Sequence, residues 1–598
     1  MKSGPPVRLD DPLGETYSRR FMRLPRFDFR PVLPRRPAFT AADGLILLGI
    51  AALLYVGARL AFAAPRVIAG PEISTSPGAL PWYALLSIGR MTAAYALSLA
   101  FSLVYGYFAA RNRAARRVML PLLDVLQSVP ILSFLPVVLL GLSAILPSGL
   151  AAEVAAVVLI FTSQVWNLTF SFYQSMTTVP GELREASAVF RLDPWLRFKT
   201  LELPFGALGL VWNSVMSWAG GWFFLMAAEM FNVGPRDFRL PGLGSYLQTA
   251  AAARDMRAVL LGLLTLTLII IVLDQIVWRP LLAWADRFKL EMVEGDEPPT
   301  AWFLDLLAHS VIIRRLRTRL ARPLSERLDD GVRRRTVEAP RPPEDSQDGK
   351  RPSKVLLAVG VSVVAAIAYG AWRAAELLAL LPGQAWARLG LGLLATAARV
   401  GVALLVSVAW TVPLGVLIGT NRRLATFLQP LVQIAASIPA TAIFPVVVVL
   451  LLRAPGGLNL AAVLLMLMGS QWYLLFNVIA GAAAIPLDLR YTTDLLRLSR
   501  LDRWRTLVLP ALFPYVITGA ITASGGAWNA SIVAEHVVSG ERAYHTLGVG
   551  SIIAEATASG DFPLLLAGTL VMVVTVVAIN RFLWRRLYRA AEERYRMD

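Results

Sequence analysis

Two glutamates, Glu229 and Glu535, stand 306 positions apart inside otherwise apolar stretches. A carboxylate is costly in hydrocarbon, so each must face protein, water or a membrane boundary. The expected role of the pair is structural: accepting hydrogen bonds from a re-entrant loop at the outer end of a span. Neutral polar and aromatic groups recur at matching places. Ser128 precedes Pro130 and Ser437 precedes Pro439; Gln164 matches Gln471, Trp222 matches Trp528, and Asn529 stands where the first half has Phe223. A hydroxyl or amide can orient a small solute without holding it so tightly that it cannot leave. These positions are the candidates for a polar path, with helix–helix packing as the competing role for each.

Covalent chemistry has no obvious home. There is no cysteine, and the three histidines, His309, His536 and His545, have no spacing that suits a multi-ligand metal site. No Gly-x-x-x-x-Gly-Lys-Ser/Thr loop occurs, and neither a nucleophile–base pair nor paired catalytic carboxylates can be made out. No catalytic residue, metal or cofactor is expected on this chain.

The most distinctive charged stretch is Glu182 to Pro204. It reads Arg191-Leu192, then Phe198-Lys199-Thr200-Leu201, then Leu203-Pro204, and it returns as Arg497-Leu498, Trp504-Arg505-Thr506-Leu507 and Leu509-Pro510. Leu192, Trp195 and Phe198 form an apolar face with charges opposite, a pattern that suits lying in the groove of a soluble partner.

The elements that must position these groups are apolar. The chain has 598 residues, 56% hydrophobic and 16% charged, with a mean hydropathy of +0.58. A soluble domain carries about 25% charged residues. Apolar spans are expected near 45–62, 83–109, 118–144, 150–173, 206–233 and 258–280, then near 355–381, 392–419, 425–452, 459–483, 512–538 and 562–584. The net charge of +18 is concentrated between spans. It suits the positive-inside rule and anionic headgroups better than nucleic acid, for which no recognition module is visible. Arg111, Arg113, Arg116 and Arg117, together with the Glu182 stretch, place the N-terminus in the cytoplasm. The Ala61-Phe62-Ala63 run resembles a signal-peptidase site, but a polar lead of 40 residues predicts an uncleaved span.

The second half repeats the first. Arg90, Gly106, Asn112, Pro121, Pro130 and Pro136 return as Arg399, Gly415, Asn421, Pro430, Pro439 and Pro445 at an offset of 309. Trp222, Glu229, Gly242, Gly244, Ser245 and Asp255 return as Trp528, Glu535, Gly548, Gly550, Ser551 and Asp561 at 306. Six spans per copy is an even number, so the copies are parallel repeats around an axis along the membrane normal. The expected fold is an all-α membrane protein of about 12 transmembrane helices. Its parts are a basic tail (1–40), a first repeat (41–283, core 83–283), a polar linker (284–353) and a second repeat (354–598, core 392–590). Within the linker, Trp302 to Leu320 has the spacing of an interfacial helix.

The paired charged stretch resembles the cytoplasmic loop of binding-protein-dependent ABC importer permeases. That pattern runs Glu-Ala-Ala, three residues, Gly, nine residues, then Ile-x-Leu-Pro. Glu185, Ala186 and Ser187 match the triplet, and Leu201, Leu203 and Pro204 the close; the second copy has Tyr491-Thr492-Thr493 for the triplet. Arg191 and Arg497 replace the glycine, which permits φ > 0 without strain, so the local turn is put to the test. Ala228-Glu229 and Val533-Ala534-Glu535, each followed by a glycine-rich turn, resemble the nitrate/sulfonate/taurine branch of that family.

The resemblance implies a type I importer permease with both transmembrane halves on one chain. It gives an ATPase-coupling role to Glu185, Ala186, Arg191, Leu192, Asp193, Trp195, Phe198, Leu203 and Pro204, and to Asp494, Arg497, Leu498, Trp504, Leu509 and Pro510. ATP and Mg would sit on two copies of a separate ATPase subunit, and a periplasmic binding protein would deliver a small anion such as nitrate, a sulfonate, taurine or bicarbonate. The location implied is a bacterial inner membrane, with both termini cytoplasmic and lipid as a further partner. The first loop is expected to engage its ATPase more tightly than the second. The alternative is an ion-gradient-driven transporter of two parallel repeats, with Glu229 and Glu535 as the coupling acids.

Overall fold

The computed structural model describes residues 41–65, 67–233, 236–288, 302–309, 323, 329, 354–451, 455–485, 487–539 and 542–595. The basic tail and most of the linker lie outside the described residues. Of the expected interfacial helix, only Trp302–His309 falls within them, and it is helical.

The first repeat runs α1 (Ala41–Ala61), α2 (Leu80–Arg111), α3 (Arg113–Leu126), α4 (Ile131–Ser143) and α5 (Ser148–Thr178). The loop helices α6 (Gly181–Val189) and α7 (Pro194–Arg197) lead into α8 (Leu203–Glu229). A hairpin follows, β1 (Asn232–Val233) with β2 (Arg236–Asp237), then α9 (Leu243–Ala252), α10 (Met256–Leu273) and α11 (Arg279–Asp286). Beyond α12 (Trp302–His309), the second repeat begins with α13 (Lys354–Ala379), α14 (Gly383–Thr420), α15 (Arg422–Ser437) and α16 (Ala440–Leu451). It continues through α17 (Gly457–Met468), α18 (Gln471–Ala483), α19 (Leu487–Leu495) and α20 (Arg500–Arg503) to α21 (Leu509–Ala534). The hairpin β3 (His536–Ser539) with β4 (Arg542–His545), then α22 (Val549–Ser559), α23 (Phe562–Ile579) and α24 (Arg585–Tyr595), complete it.

Among the described residues, nine helices are long and apolar enough to cross a membrane, ten if α3 and α4 count as one span. The expected count of about 12 is therefore not reached by length and hydropathy alone. The third span is not one rod: α3 and α4 meet at 95° around Pro130, because proline has no N–H to continue the ladder. In the second repeat the fourth span also breaks, between α17 and α18, whereas α5 is continuous.

The repeated residues have identifiable work. Asn112 and Asn421 cap α3 and α15 by accepting from the N–H groups two and three residues on. Asp255 and Asp561 cap α10 and α23 by accepting from the N–H three residues on. Gly106 and Gly415 let α2 and α14 close on Phe172 and Val478; a Cβ would come within 2.8 and 2.6 Å of those side chains. The two repeats are tied by Arg581, buried after α23, which pairs with Asp43 of α1 and, at 2.7 Å, with Asp124 of α3.

Candidate functional site

A cavity lies between the repeats, mid-way along the helices that line it, with about 230 Å³ of water-accessible space. Its aromatic wall is Trp166, Phe223, Trp472, Tyr473 and Phe476, and its polar groups include Gln127, Ser128, Asn167, Thr522, Asn529 and Asn580. No acidic or basic side chain lines it among the described residues. The third-span breaks open into it. Asn529 Oδ1 accepts from the N–H of Ile131 and, at 3.4 Å, of Leu132, satisfying the start of α4 from across the repeat interface. Asn580 donates to Ser128 Oγ at 2.8 Å, again across the interface.

The ends of both repeats away from the charged loops are fastened by matching ion-pair clusters. Glu229 Oε1 accepts from Ser87 Oγ (2.6 Å) and Arg90 Nη1 (2.9 Å), and Oε2 from the Gly244 N–H (2.7 Å) at the start of α9. Arg90 also grips Glu153 bidentately and donates to the Pro241 carbonyl. In the second repeat Glu535 accepts from Thr396 Oγ1 (2.7 Å), Arg399 Nη1 (2.7 Å) and the Gly550 N–H (2.9 Å). There Asn459 replaces Glu153 as the other partner of the arginine. Both carboxylates are fully buried. Gly242 and Gly548 leave no room for a Cβ beside them. Arg90 and Arg399 are both committed to these clusters.

At the opposite end are the two charged loops. α6 and α19 end in arginines with positive φ, Arg191 at 49° and Arg497 at 48°. The N–H groups of Leu192 and Leu498 bond back to the Ser187 and Thr493 carbonyls, so the left-handed turn survives without glycine. Each loop then makes a π-turn, Phe198–Glu202 and Trp504–Val508. The π-turn accounts for the recurring Leu-Pro: Pro204 and Pro510 offer no N–H and crowd the carbonyl four residues back, so the ladder widens there.

The Leu192, Trp195 and Phe198 face is not the outward one. Phe198 packs on Tyr107 and Phe172, with ring centroids 5.6 and 6.3 Å away, and stacks with Trp195. The outward apolar pairs are Val189–Phe190, 79% and 77% exposed, and Leu495–Leu496, 83% and 65% exposed.

The family described as binding-protein-dependent transport system inner membrane component matches residues 102–277 and 411–597. The chain belongs to this family, and holds its domain twice. It is a multi-pass membrane transport component. Among curated relatives, the nitrate import permease protein NrtB of Synechocystis is 26% identical over 195 residues, covering 33% of this chain and 67% of that protein. The bicarbonate transport system permease protein CmpB of Synechococcus elongatus is 33% identical over 145 residues, covering 24% of this chain and 49% of that protein. The chain thus spans from about half to about two thirds of the length of these relatives.

Within this permease component the ten candidate path positions divide. Ser128, Phe223, Pro439 and Asn529 line the cavity. Pro130 is buried beside it as the residue before α4. Gln164, Trp222, Gln471 and Trp528 do not line it: Gln164 donates to the Met91 sulfur, and both tryptophans are buried within helix packing. The Ser437 side chain lies outside the described set. The residues missed were their helix neighbours Trp166, Asn167, Trp472 and Tyr473. The signal was a tryptophan within two residues of each Ser-Gln, followed by a side chain that can hydrogen-bond, Asn167 or Tyr473.

In the loops, Glu185, Ala186, Arg191, Asp494, Arg497 and Leu509 are exposed, and the other expected coupling residues are half-buried. The loops also differ. Glu202, buried, pairs with Arg111 of α2 (2.7 Å) and Arg197 (3.0 Å), and valine 508 fills its place in the second copy. Asp329 of the linker accepts from Trp195 Nε1 at 2.8 Å and pairs with Lys199. The hydrogen bonds from Lys199 and then Trp195 hold its carboxyl below the usual aspartate range.

Proposed function

We propose that this chain is the membrane subunit of an ATP-driven importer for a small anion of the nitrate or bicarbonate kind. Both halves of the path sit on one chain in a bacterial inner membrane, with cytoplasmic termini. A periplasmic binding protein delivers the solute, and two separate ATPase subunits, carrying ATP and Mg, dock on the two loops.

The observation that carries this reading is the polar and aromatic cavity at mid-span between the repeats, which has no charged side chain among its described lining residues. Amide, hydroxyl and indole groups can donate to an anion singly and let it go again. The loops supply the drive. A partner closing on Val189–Phe190 and Leu495–Leu496 pushes on short helices wedged against the spans, and the Arg111–Glu202–Arg197 cluster passes the push to α2 and α8. The outer clusters keep the far ends of α2, α5, α8 and α9 together, so each repeat moves as a body. An ion-gradient transporter would want a titratable group in the cavity, whereas Glu229 and Glu535 are held at the outer ends by arginines.

The test is uptake of labelled nitrate or bicarbonate into proteoliposomes holding this chain, its ATPase and its binding protein. ATP-dependent accumulation is expected; accumulation driven by an ion gradient with no ATP would overturn the reading.

A further inference from the structure

The first spans of the two repeats, α1 and α13, both precede the residues matched to the family. They pack directly on each other. Gly370 makes this possible, since a Cβ there would come within 2.5 Å of the Ala52 Cβ. Towards the end away from the charged loops the helices part and leave a cavity of about 250 Å³. Tyr55, Arg59 and Phe62 line one side, and Arg373, Glu376 and Leu377 the other. Arg59 is two residues from the end of α1 and Arg373 six from the end of α13. At about 1.5 Å per residue, that places their Cα atoms on the order of 3 and 9 Å from the helix ends. Both arginines thus lie in the last two turns of an apolar span, where a chain leaving hydrocarbon meets headgroups.

The flanks of the pocket are those of a lipid-facing interface. Leu53, Tyr369 and Trp372 are exposed around it, and Tyr and Trp concentrate where hydrocarbon meets headgroups. Inside, Glu376 is already satisfied: Arg373 pairs with it and Trp372 Nε1 donates to it at 2.9 Å. The Tyr55 hydroxyl accepts from Arg373 Nε at 3.3 Å, which leaves its own proton to give. Arg59 has no carboxylate partner among the described residues and lies 6.0 Å from the Phe62 ring centroid. Two guanidinium groups against one carboxylate leave one positive charge at a hydrocarbon edge.

We propose that this pocket binds the phosphodiester of a glycerophospholipid. The phosphate sits on Arg59 and the Tyr55 hydroxyl, and an acyl chain runs away from the helix ends past the exposed Leu53 of α1 and Tyr369 of α13. A singly charged phosphodiester neutralises the surplus charge, and the apolar wall suits a lipid better than a free anion. The lipid then bridges α1 and α13, fastening the two repeats together in the leaflet away from the loops.

Native mass spectrometry of the full chain in detergent, titrated with phosphatidylglycerol, tests this. One lipid is expected to be retained, with Arg59→Ala weakening its binding about tenfold, Arg59→Lys weakening it less, and Arg257→Ala, an exposed arginine on the same side, changing nothing. Equal retention by wild type and Arg59→Ala would overturn the proposal. So would displacement of the lipid by inorganic phosphate at matching concentration, which would mark a site for soluble anions.

Discussion

The Asn529 side-chain carbonyl of the second repeat accepts from the Ile131 N–H of the first, so one repeat caps a broken helix of the other. Its counterpart is Phe223, which has no acceptor to offer. Both repeats give the cavity polar groups, but this cap runs in one direction only. Replacing Asn529 by Ala is expected to cost about 1 kcal/mol, the usual worth of a helix cap, and to lower the thermal midpoint in detergent. Replacement by Asp, which keeps the acceptor, should retain most of the stability.

Removing Arg90 strands a buried carboxylate. Arg90→Gln is expected to destabilise by about 3–5 kcal/mol, the range for breaking a buried pair from one side. Arg399→Gln should cost less, because Arg399 is more exposed and one of its partners, Asn459, carries no charge. Thermal unfolding of the two variants side by side checks the order.

The two loop arginines hold a conformation that L-residues disfavour by about 1–2 kcal/mol. Arg191→Gly and Arg497→Gly should each slow amide exchange in their own loop, by up to about fivefold after the entropy of glycine is counted. Arg191→Val should speed it, since a β-branched residue tolerates positive φ least.

One titration is expected on the outer hairpin. Burial, then the neighbouring His545, lowers the His536 pKa, with Glu555 opposing. A histidine whose folded pKa is depressed favours the fold in its neutral form. Its contribution is intact above the unfolded value of about 6.5 and is lost as pH falls from there through the lower folded value. The protection factor of the Val537 amide, its exchange rate relative to the intrinsic rate at each pH, should therefore fall between pH 8 and 5, and His536→Asn should flatten that fall.

The duplication, the parallel repeats and the paired glutamates were all legible in the sequence, because each rests on a residue type returning at a fixed offset. Which side of a helix faces the cavity was not. α5 carries polar residues on opposite faces, Thr162 and Thr169 across from Gln164 and Asn167, so its pattern does not set its rotation. Gln164 and Asn167 are three residues apart, yet only Asn167 reaches the cavity. Trp222 and Phe223 are adjacent, about 100° apart on the helix, and only Phe223 does. The loops misled in the same way: Phe198 looked like docking surface but fills a gap between Tyr107 and Phe172, leaving Val189 and Phe190 outside. The pairing of α1 with α13 depends on Gly370 meeting Ala52, more than 300 residues away, and no local pattern announces it.

The central claim is that the two exposed loop tips carry the ATPase stroke to the cavity. Its most direct test is the ATPase rate of the assembled complex, with binding protein and solute, when Val189, Phe190, Leu495 and Leu496 are all changed to Asp. These side chains contact solvent, so the fold and thermal midpoint should hold. Solute-stimulated ATPase activity should fall at least tenfold, with uptake lost alongside. Stimulation at the wild-type level in this variant would contradict the account.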